Sequence, residues 1–275
     1  MTRIRTTFDK LHADGRQALI PYVTAGDPDL STTAHILDAL VEGGADVIEL
    51  GMPFSDPMAD GPVIQRAMER AIAKGASLER TLELARGFRE RHPDTPLILF
   101  GYLNPLYQMG LEEGVKAAAE AGIDGLLIVD LPSESASEVL PYLDAHGLNL
   151  IGLFTPTTTE ARVADMADTV SGFAYCVSVS GVTGGSVQRG SELQKRVEII
   201  QRRTGLPTAV GFGVRTPEDA AEIARFADGV VVGSALVHAM EGKPAVEAPA
   251  VAQEFIASLR SAMDNTQTKK AYLKL

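Results

Sequence analysis

The chain has 275 residues, 45% of them apolar, enough for one large domain with a substantial core. Its 25 lysines and arginines against 36 aspartates and glutamates leave a formal charge of −11, which excludes the broad basic surfaces that nucleic acid and anionic membranes require as partners. A single cysteine, Cys176, excludes an internal disulfide, and with no leader-like N-terminus and no apolar run of membrane length a cytoplasmic protein is expected.

In chain order, residues 4–13 read as a short helix and 18–24 as the first strand. A second strand over 46–51 runs into Glu49-Leu50-Gly51-Met52-Pro53-Phe54-Ser55-Asp56-Pro57-Met58-Ala59-Asp60-Gly61-Pro62. With three prolines and two glycines, that run must be a shaped loop rather than helix or sheet. Leu78, Leu82, Ala85 and Phe88 mark the buried face of a helix, and a third strand follows over 97–102. Leu111, Val115 and Ala118 mark the next helix, closed by Gly122, before a strand over 125–130. Val139, Leu140 and Leu143 precede Gly147 and a strand over 149–154. A sixth strand over 172–177 leads into Ser178-Val179-Ser180-Gly181-Val182-Thr183-Gly184-Gly185-Ser186, a hydroxyl- and glycine-rich loop suited to closing over a substrate. Leu193, Val197 and Ile200 form a helical face before Gly205, and the seventh strand is predicted over 208–213. Thr216-Pro217-Glu218-Asp219 is a helix start, with an N-cap hydroxyl and proline in the first turn. The eighth strand, over 229–233, leads into a short helix over 236–241. A closing helix is read over 246–263, and 265–275 as a polar, mobile tail.

Most of these strands are unbroken apolar runs, as parallel strands covered on both faces should be. Eight β/α units in about 250 residues match one (β/α)₈ barrel, so 1–264 is read as a single domain. A doubly wound sheet is the alternative, but it rarely uses eight evenly spaced units. A weak echo supports repeated units: Gly44-Ala45-Asp46-Val47, Gly122-Ile123-Asp124-Gly125 and Ala227-Asp228-Gly229-Val230 each fall where a helix ends and a strand begins.

A barrel places its chemistry at the C-terminal ends of its strands. Glu49 ends an apolar strand there, where partial loss of water raises a carboxyl pKa and suits a general acid. Asp60, eleven positions on, is either a second catalytic acid, a loop acid without a role, or a cap for the helix from Pro62. Asp130 is either a pocket residue or the cap of the turn before Pro132, and the cap is the expectation. Gly211-Phe212-Gly213 and Gly233-Ser234-Ala235 close the last two strands. Glycines there let backbone N–H groups approach an anion, and a helix N-terminus adds partial positive charge, so a phosphate site is expected. The eight lysines avoid strand ends and the five histidines are scattered, so neither a Schiff-base nor a zinc mechanism is expected.

Pro21-Tyr22-Val23-Thr24-Ala25-Gly26-Asp27-Pro28, the block from Glu49 to Gln65, and Ser180-Gly181-Val182-Thr183-Gly184 together resemble the tryptophan synthase alpha chain family, over roughly residues 3–264. The resemblance implies a (β/α)₈ TIM barrel with an extra N-terminal helix and a short phosphate-binding helix after strand 8. It implies a lyase splitting indole-3-glycerol phosphate into indole and glyceraldehyde 3-phosphate, without a cofactor or metal of its own. It further implies a pyridoxal-phosphate-dependent beta chain as partner in an α2β2 tetramer. Carried over by motif, Glu49 and Asp60 are the catalytic pair and Thr183 lies in the closing loop. Gly184, Gly213, Gly233 and Ser234 bind phosphate, and Tyr22, Phe100, Tyr102, Leu127, Tyr175 and Phe212 line the indole pocket. Departures from the family pattern are Tyr22 where phenylalanine is frequent, Phe100 where leucine is common, and Val179 where some members carry arginine.

Overall fold

The computed structural model describes residues 1–178, 187–211 and 213–272, with the side chains of 187–189 and 267–272 excepted. Nine strands, all parallel to their neighbours, form a nearly closed barrel: β1 (Ala18–Thr24), β2 (Ile48–Gly51), β3 (Leu97–Gly101), β4 (Gly125–Ile128), β5 (Asn149–Leu150), β6 (Gly152–Phe154), β7 (Ala174–Val177), β8 (Thr208–Gly211) and β9 (Gly229–Val232). Their spatial order is β5-β4-β3-β2-β1-β9-β8-β7-β6. The two ends of that order are consecutive in the chain. β5 and β6 are the halves of the single strand expected over 149–154, and Ile151 joins them. The strand changes partner midway: β5 pairs with β4, β6 with β7, and the Ile151 N–H donates to the Leu126 carbonyl at 2.9 Å. Closure of the barrel therefore falls on this residue.

Helices fill the connections: α1 (Arg3–Ala13), α2 (Leu30–Glu42), α3 (Pro62–Ala73), α4 (Leu78–Arg91), α5 (Leu103–Met109), α6 (Leu111–Glu120), α7 (Leu140–His146), α8 (Glu160–Met166), α9 (Val187–Thr204), α10 (Pro217–Ile223), α11 (Ser234–Met240) and α12 (Ala248–Tyr272). α10 starts as its sequence demands, with a reciprocal capping box between Thr216 and Asp219. α12 carries the helical backbone past 265 to Tyr272.

Alternation along the strands explains why they read as continuous apolar runs. Leu19, Val23, Leu50, Leu99 and Leu126 face outward into a layer shared with the helices. Ile20, Tyr22, Ile98, Phe100, Leu127, Tyr175 and Val231 face inward and fill the barrel. α1 closes the bottom: Ile4, Phe8 and Leu11 join the inner cluster, and the Phe8 ring lies 5.7 Å from that of Phe173.

At that same end the sequence echo acquires a cause. The Leu19 N–H donates to Asp46 Oδ2 at 2.9 Å, and the Asp46 N–H donates back to the Leu19 carbonyl at 2.9 Å. Leu97 and Asp124 form the same two-bond clamp, and so do Thr208 and Asp228. Leu150 and Ser171 repeat it with a hydroxyl in place of the carboxylate. Each clamp pins the start of one strand to the residue leading into the next. The carboxylates are themselves held: Asp124 by Arg89 at 2.7 Å and Arg3 at 2.9 Å, Asp46 by Arg260 at 3.2 Å, and Asp228 by the Gln201 side chain at 2.7 Å.

Candidate active site

Glu49 lies on β2 with Tyr22 of β1 as its partner across the ladder. It points into the barrel and is 1% exposed. Loss of water alone pushes its carboxyl up to about 8, and Oε1 has no hydrogen-bond partner. A strand-end acid in this state keeps its proton near neutral pH and can deliver it.

Asp60 sits at the end of the loop after β2, one residue before Gly61, the N-cap of α3. The loop is shaped by Gln65, whose side-chain amide donates to the carbonyls of Asp60 at 2.9 Å and Pro57 at 3.2 Å. Tyr102, the N-cap residue of α5, reaches across from the end of β3. Its hydroxyl donates to Asp60 Oδ2 at 2.7 Å and accepts from the Ala59 N–H at 3.0 Å. Burial raises the Asp60 carboxyl above its ordinary value, and the tyrosine bond opposes that rise. Asp60 therefore does not cap α3 through its side chain; α3 begins without a side-chain cap.

Both carboxylates border one cavity of about 970 Å³. Tyr22, Phe100, Tyr175 and Val231 supply its apolar wall, and the Tyr22 and Phe100 rings meet edge-on at 5.1 Å. Gly213, Gly233, Ser234 and Ala235 border it on another side. There α11 opens into the cavity, and the N–H groups of its first turn have no partner within the helix.

Of the residues expected from the sequence, Glu49, Asp60, Tyr22, Phe100, Tyr175, Gly213, Gly233 and Ser234 thus meet around one space. Tyr102 joins them through Asp60. Leu127 is fully buried in the inner layer and is not among the residues bordering the cavity. Thr183, Gly184, Phe212 and Val179 lie outside the described residues. Asp130 is a cap, but not of the turn before Pro132: its Oδ1 accepts the Leu103 N–H at 2.9 Å and so holds the start of α5 from the neighbouring unit. Among the described residues no group of three or more His, Cys, Asp or Glu is arranged to hold a metal ion.

Other contributions were not legible in the sequence, among them a second role for Gly211, expected there only at the phosphate turn. Gly51 and Gly211 are required by the tyrosines, since a Cβ at either would collide with the hydroxyl of Tyr22 or Tyr175. Arg66, Arg215 and His238 border the cavity, and the two arginines give an acidic chain a local cationic rim. Arg66 is fixed by two bonds to Glu241, at 2.9 and 3.1 Å, and Arg70 joins Glu241 at 3.1 Å to Asp27 at 2.9 Å. For Arg66 and Arg70 the signal was their helical spacing after Asp60, which a surface helix shares; Arg215 and His238 lie in other units and gave none.

Comparison with known proteins finds relatives over nearly the whole chain. A sequence profile described as tryptophan synthase alpha chain matches residues 8–267. A tryptophan synthase alpha chain from Burkholderia thailandensis is 48% identical over 264 residues, covering 96% of this chain and 97% of its own. One from Dechloromonas aromatica is 47% identical over 267 residues, covering 97% and 100%. Among solved structures, tryptophan synthase subunit alpha from Legionella pneumophila superposes with a TM-score of 0.88 at 42% identity, covering 96% of this chain and 99% of that one.

Proposed function

The chain belongs to the tryptophan synthase alpha chain family, and from that premise we propose how its cavity works. It is a carbon–carbon lyase of tryptophan biosynthesis, cleaving indole-3-glycerol phosphate to indole and glyceraldehyde 3-phosphate. The observation that carries the mechanism is the sharing of one cavity by a buried acid, a second carboxylate and the start of α11.

Cleaving the bond between indole C3 and the glycerol side chain requires a proton on C3. Glu49, kept protonated by burial, supplies it and then takes the proton of the glycerol hydroxyl as the bond breaks. Protonation at C3 places positive charge on the ring nitrogen. Asp60, oriented by Tyr102, accepts the ring N–H and stabilises that charge as it develops. The aromatic wall of Tyr22, Phe100 and Tyr175 receives the ring, with Tyr102 and Leu127 behind it, and Phe212 is assigned to the same pocket by family membership. The phosphate is assigned to backbone N–H groups of Gly213, Gly233 and Ser234 together with Gly184, and Thr183 to the closing loop that meets Asp60.

The residues themselves supply acid, base and electrostatic stabilisation, so the reaction needs no cofactor of its own. Family membership implies a beta-chain partner. We assign the α2β2 tetramer, pyridoxal phosphate in the beta chain, and a cytoplasmic location on the same ground. Exposed Met58 in the Asp60 loop and Tyr107 on α5 stand close in sequence to the catalytic strand ends, and apolar side chains there suit such a partner. Among the described residues no helix is long and apolar enough to cross a membrane.

Turnover of indole-3-glycerol phosphate tests the assignment. Glu49→Gln and Asp60→Asn should each lower kcat by about 10² to 10⁴ while glycerol 3-phosphate still binds. Near-normal turnover in either variant overturns the role given to that residue.

A further inference from the structure

Among the described residues Glu49, Asn149, Asp219 and Arg260 each leave a buried polar atom without a partner, but the other three make side-chain hydrogen bonds elsewhere and Glu49 makes none. A neutral carboxyl tolerates that state at modest cost. A carboxylate does not, because a buried charge without a donor is strongly disfavoured. If Glu49 gives up its proton in each turnover, as proposed above, a donor must reach it in the ionised half of the cycle.

Two hydroxyls on the same cavity are unspent among the described residues. Tyr22 stands opposite Glu49 in the β1–β2 register, and its ring leans toward the mouth of the barrel until the hydroxyl fills the place a Gly51 side chain would take. Gly51 follows Glu49 by two residues, so it lies on the same face of β2, one step nearer the mouth. The Tyr22 hydroxyl makes a single bond, at 3.2 Å, to Thr24 Oγ1, which is 1% exposed and has no other side-chain bond among the described residues. Two O–H groups sharing one bond leave one donor free. Tyr175 repeats the arrangement from β7, its hydroxyl lying where a Gly211 side chain would be, and it has no hydrogen bond among the described residues. The phenols are 4% and 5% exposed and border the same cavity as Glu49. Tyr102 cannot serve, because its hydroxyl already donates to Asp60.

We propose that the hydroxyls of Tyr22 and Tyr175 are the donors that hold the Glu49 carboxylate once its proton has left, making both positioning residues for the proton carrier. The two glycines are then part of the device, since any side chain at 51 or 211 would displace a donor. Burial and the nearby carboxylates keep both phenols protonated, so they donate a hydrogen bond without losing the proton.

The ionisation of Glu49 can be read directly in the ligand-free full-length chain carrying carboxyl-labelled glutamate, by carbon NMR against pH. The titratable groups facing Glu49 are Asp60, Tyr22, Tyr102 and Tyr175, with Arg66, Arg215 and His238 on the rim. An Asp60→Asn background removes the other carboxylate, and Glu49→Gln identifies the signal. The double variant Tyr22→Phe/Tyr175→Phe should raise the Glu49 midpoint by about one pH unit, a tenfold change in its ionisation constant, and each single variant by part of that. An unchanged midpoint in the folded double variant overturns the proposal and leaves the tyrosines as ring contacts, read as a KM effect alone. Should the double variant not fold, the single variants decide on the same criterion. Thr24→Val, which frees Tyr22 from its present bond, should not raise the midpoint; a rise would make Thr24 the donor and defeat the role of Tyr22. These readouts involve no turnover, so they stand even if Glu49→Gln shows that another group carries the proton.

Discussion

Glu49 and Asp60 are both carboxylates lifted above their ordinary range, yet they must work in opposite charge states. Glu49 acts with its proton on, so activity should persist below about pH 8 and fall as pH rises through that value. Its effect on stability has the same sign. The unfolded chain ionises this carboxyl near pH 4.5 and the folded chain only near 8, so the unfolded state binds fewer protons between the two and stability falls as pH rises across that window. Glu49→Gln has no such titration. Its stability relative to wild type should therefore climb between about pH 4.5 and 8, by up to a few kcal/mol, in urea titrations at stepped pH. A flat difference would place Glu49 in a far wetter site. Asp60 must be ionised, so activity should fall as pH drops through its own pKa. Tyr102→Phe removes the bond that favours the ionised form and should shift that acid limb upward, with a fall in kcat of roughly tenfold. A pH profile with an unmoved acid limb would dismiss Tyr102 from this role. Glu49 was legible in the sequence because an acid ending an apolar strand has few bland explanations. The bond that orients Asp60 was not: Tyr102 was expected only as a wall of the indole pocket, and it lies 42 residues from Asp60, brought to it by the register of the strands.

At the level of elements, the strands were readable and their ends were not. Doubly covered parallel strands are continuous apolar runs, so all were found, but the break at Ile151 arises only when the barrel closes and one strand must serve two neighbours. The short helix α5 escaped because no side chain of its own caps it; Asp130 does so from the next unit. α8, which buries Val163 alone and so shows no apolar face, was missed. The clamps appeared in the sequence only as a faint echo, because their chemistry is one side chain bonding one amide. Asp124 is 6% exposed and serves the Leu97 amide and two arginines at once. Asp124→Ala should destabilise the chain by about 3 kcal/mol or more, since it leaves Arg89 and that amide without their partner. Ser171→Ala should cost about 1 kcal/mol, there being no charge to strand. Denaturant titration distinguishes them, and equal effects would show that the carboxylate contributes no more than the hydroxyl. Both variants leave the opposite end of the barrel untouched, so folded protein should retain turnover.

For the molecule as a whole, the barrel separates two tasks by end. The C-terminal end carries unsatisfied chemistry: a carboxyl without a partner, free amides at α11, and a cationic rim on a chain of charge −11. The N-terminal end is instead closed by α1 and bound together by the ion-paired clamps. Composition made the acidic surface plain but hid the rim, because Arg66 and Arg215 are distant in sequence and converge only on the cavity. The four clamps also partition the chain, for they join β1 to the start of β2, β3 to β4, β5 to β7 and β8 to β9, and skip every other junction. The barrel is thereby divided into quarters, each an internally bolted pair of strands. Cut the backbone and the quarters should reveal themselves. Fragments 1–75 and 76–275, separated in the connection between α3 and α4, contain every clamp whole, and when mixed they should reassemble an active barrel. Fragments 1–43 and 44–275 leave Leu19 and Asp46 on different pieces, and should reassociate more weakly, by tenfold or more in fragment affinity. Equal affinity for the two cuts would mean that the seams between quarters are as strong as the quarters themselves.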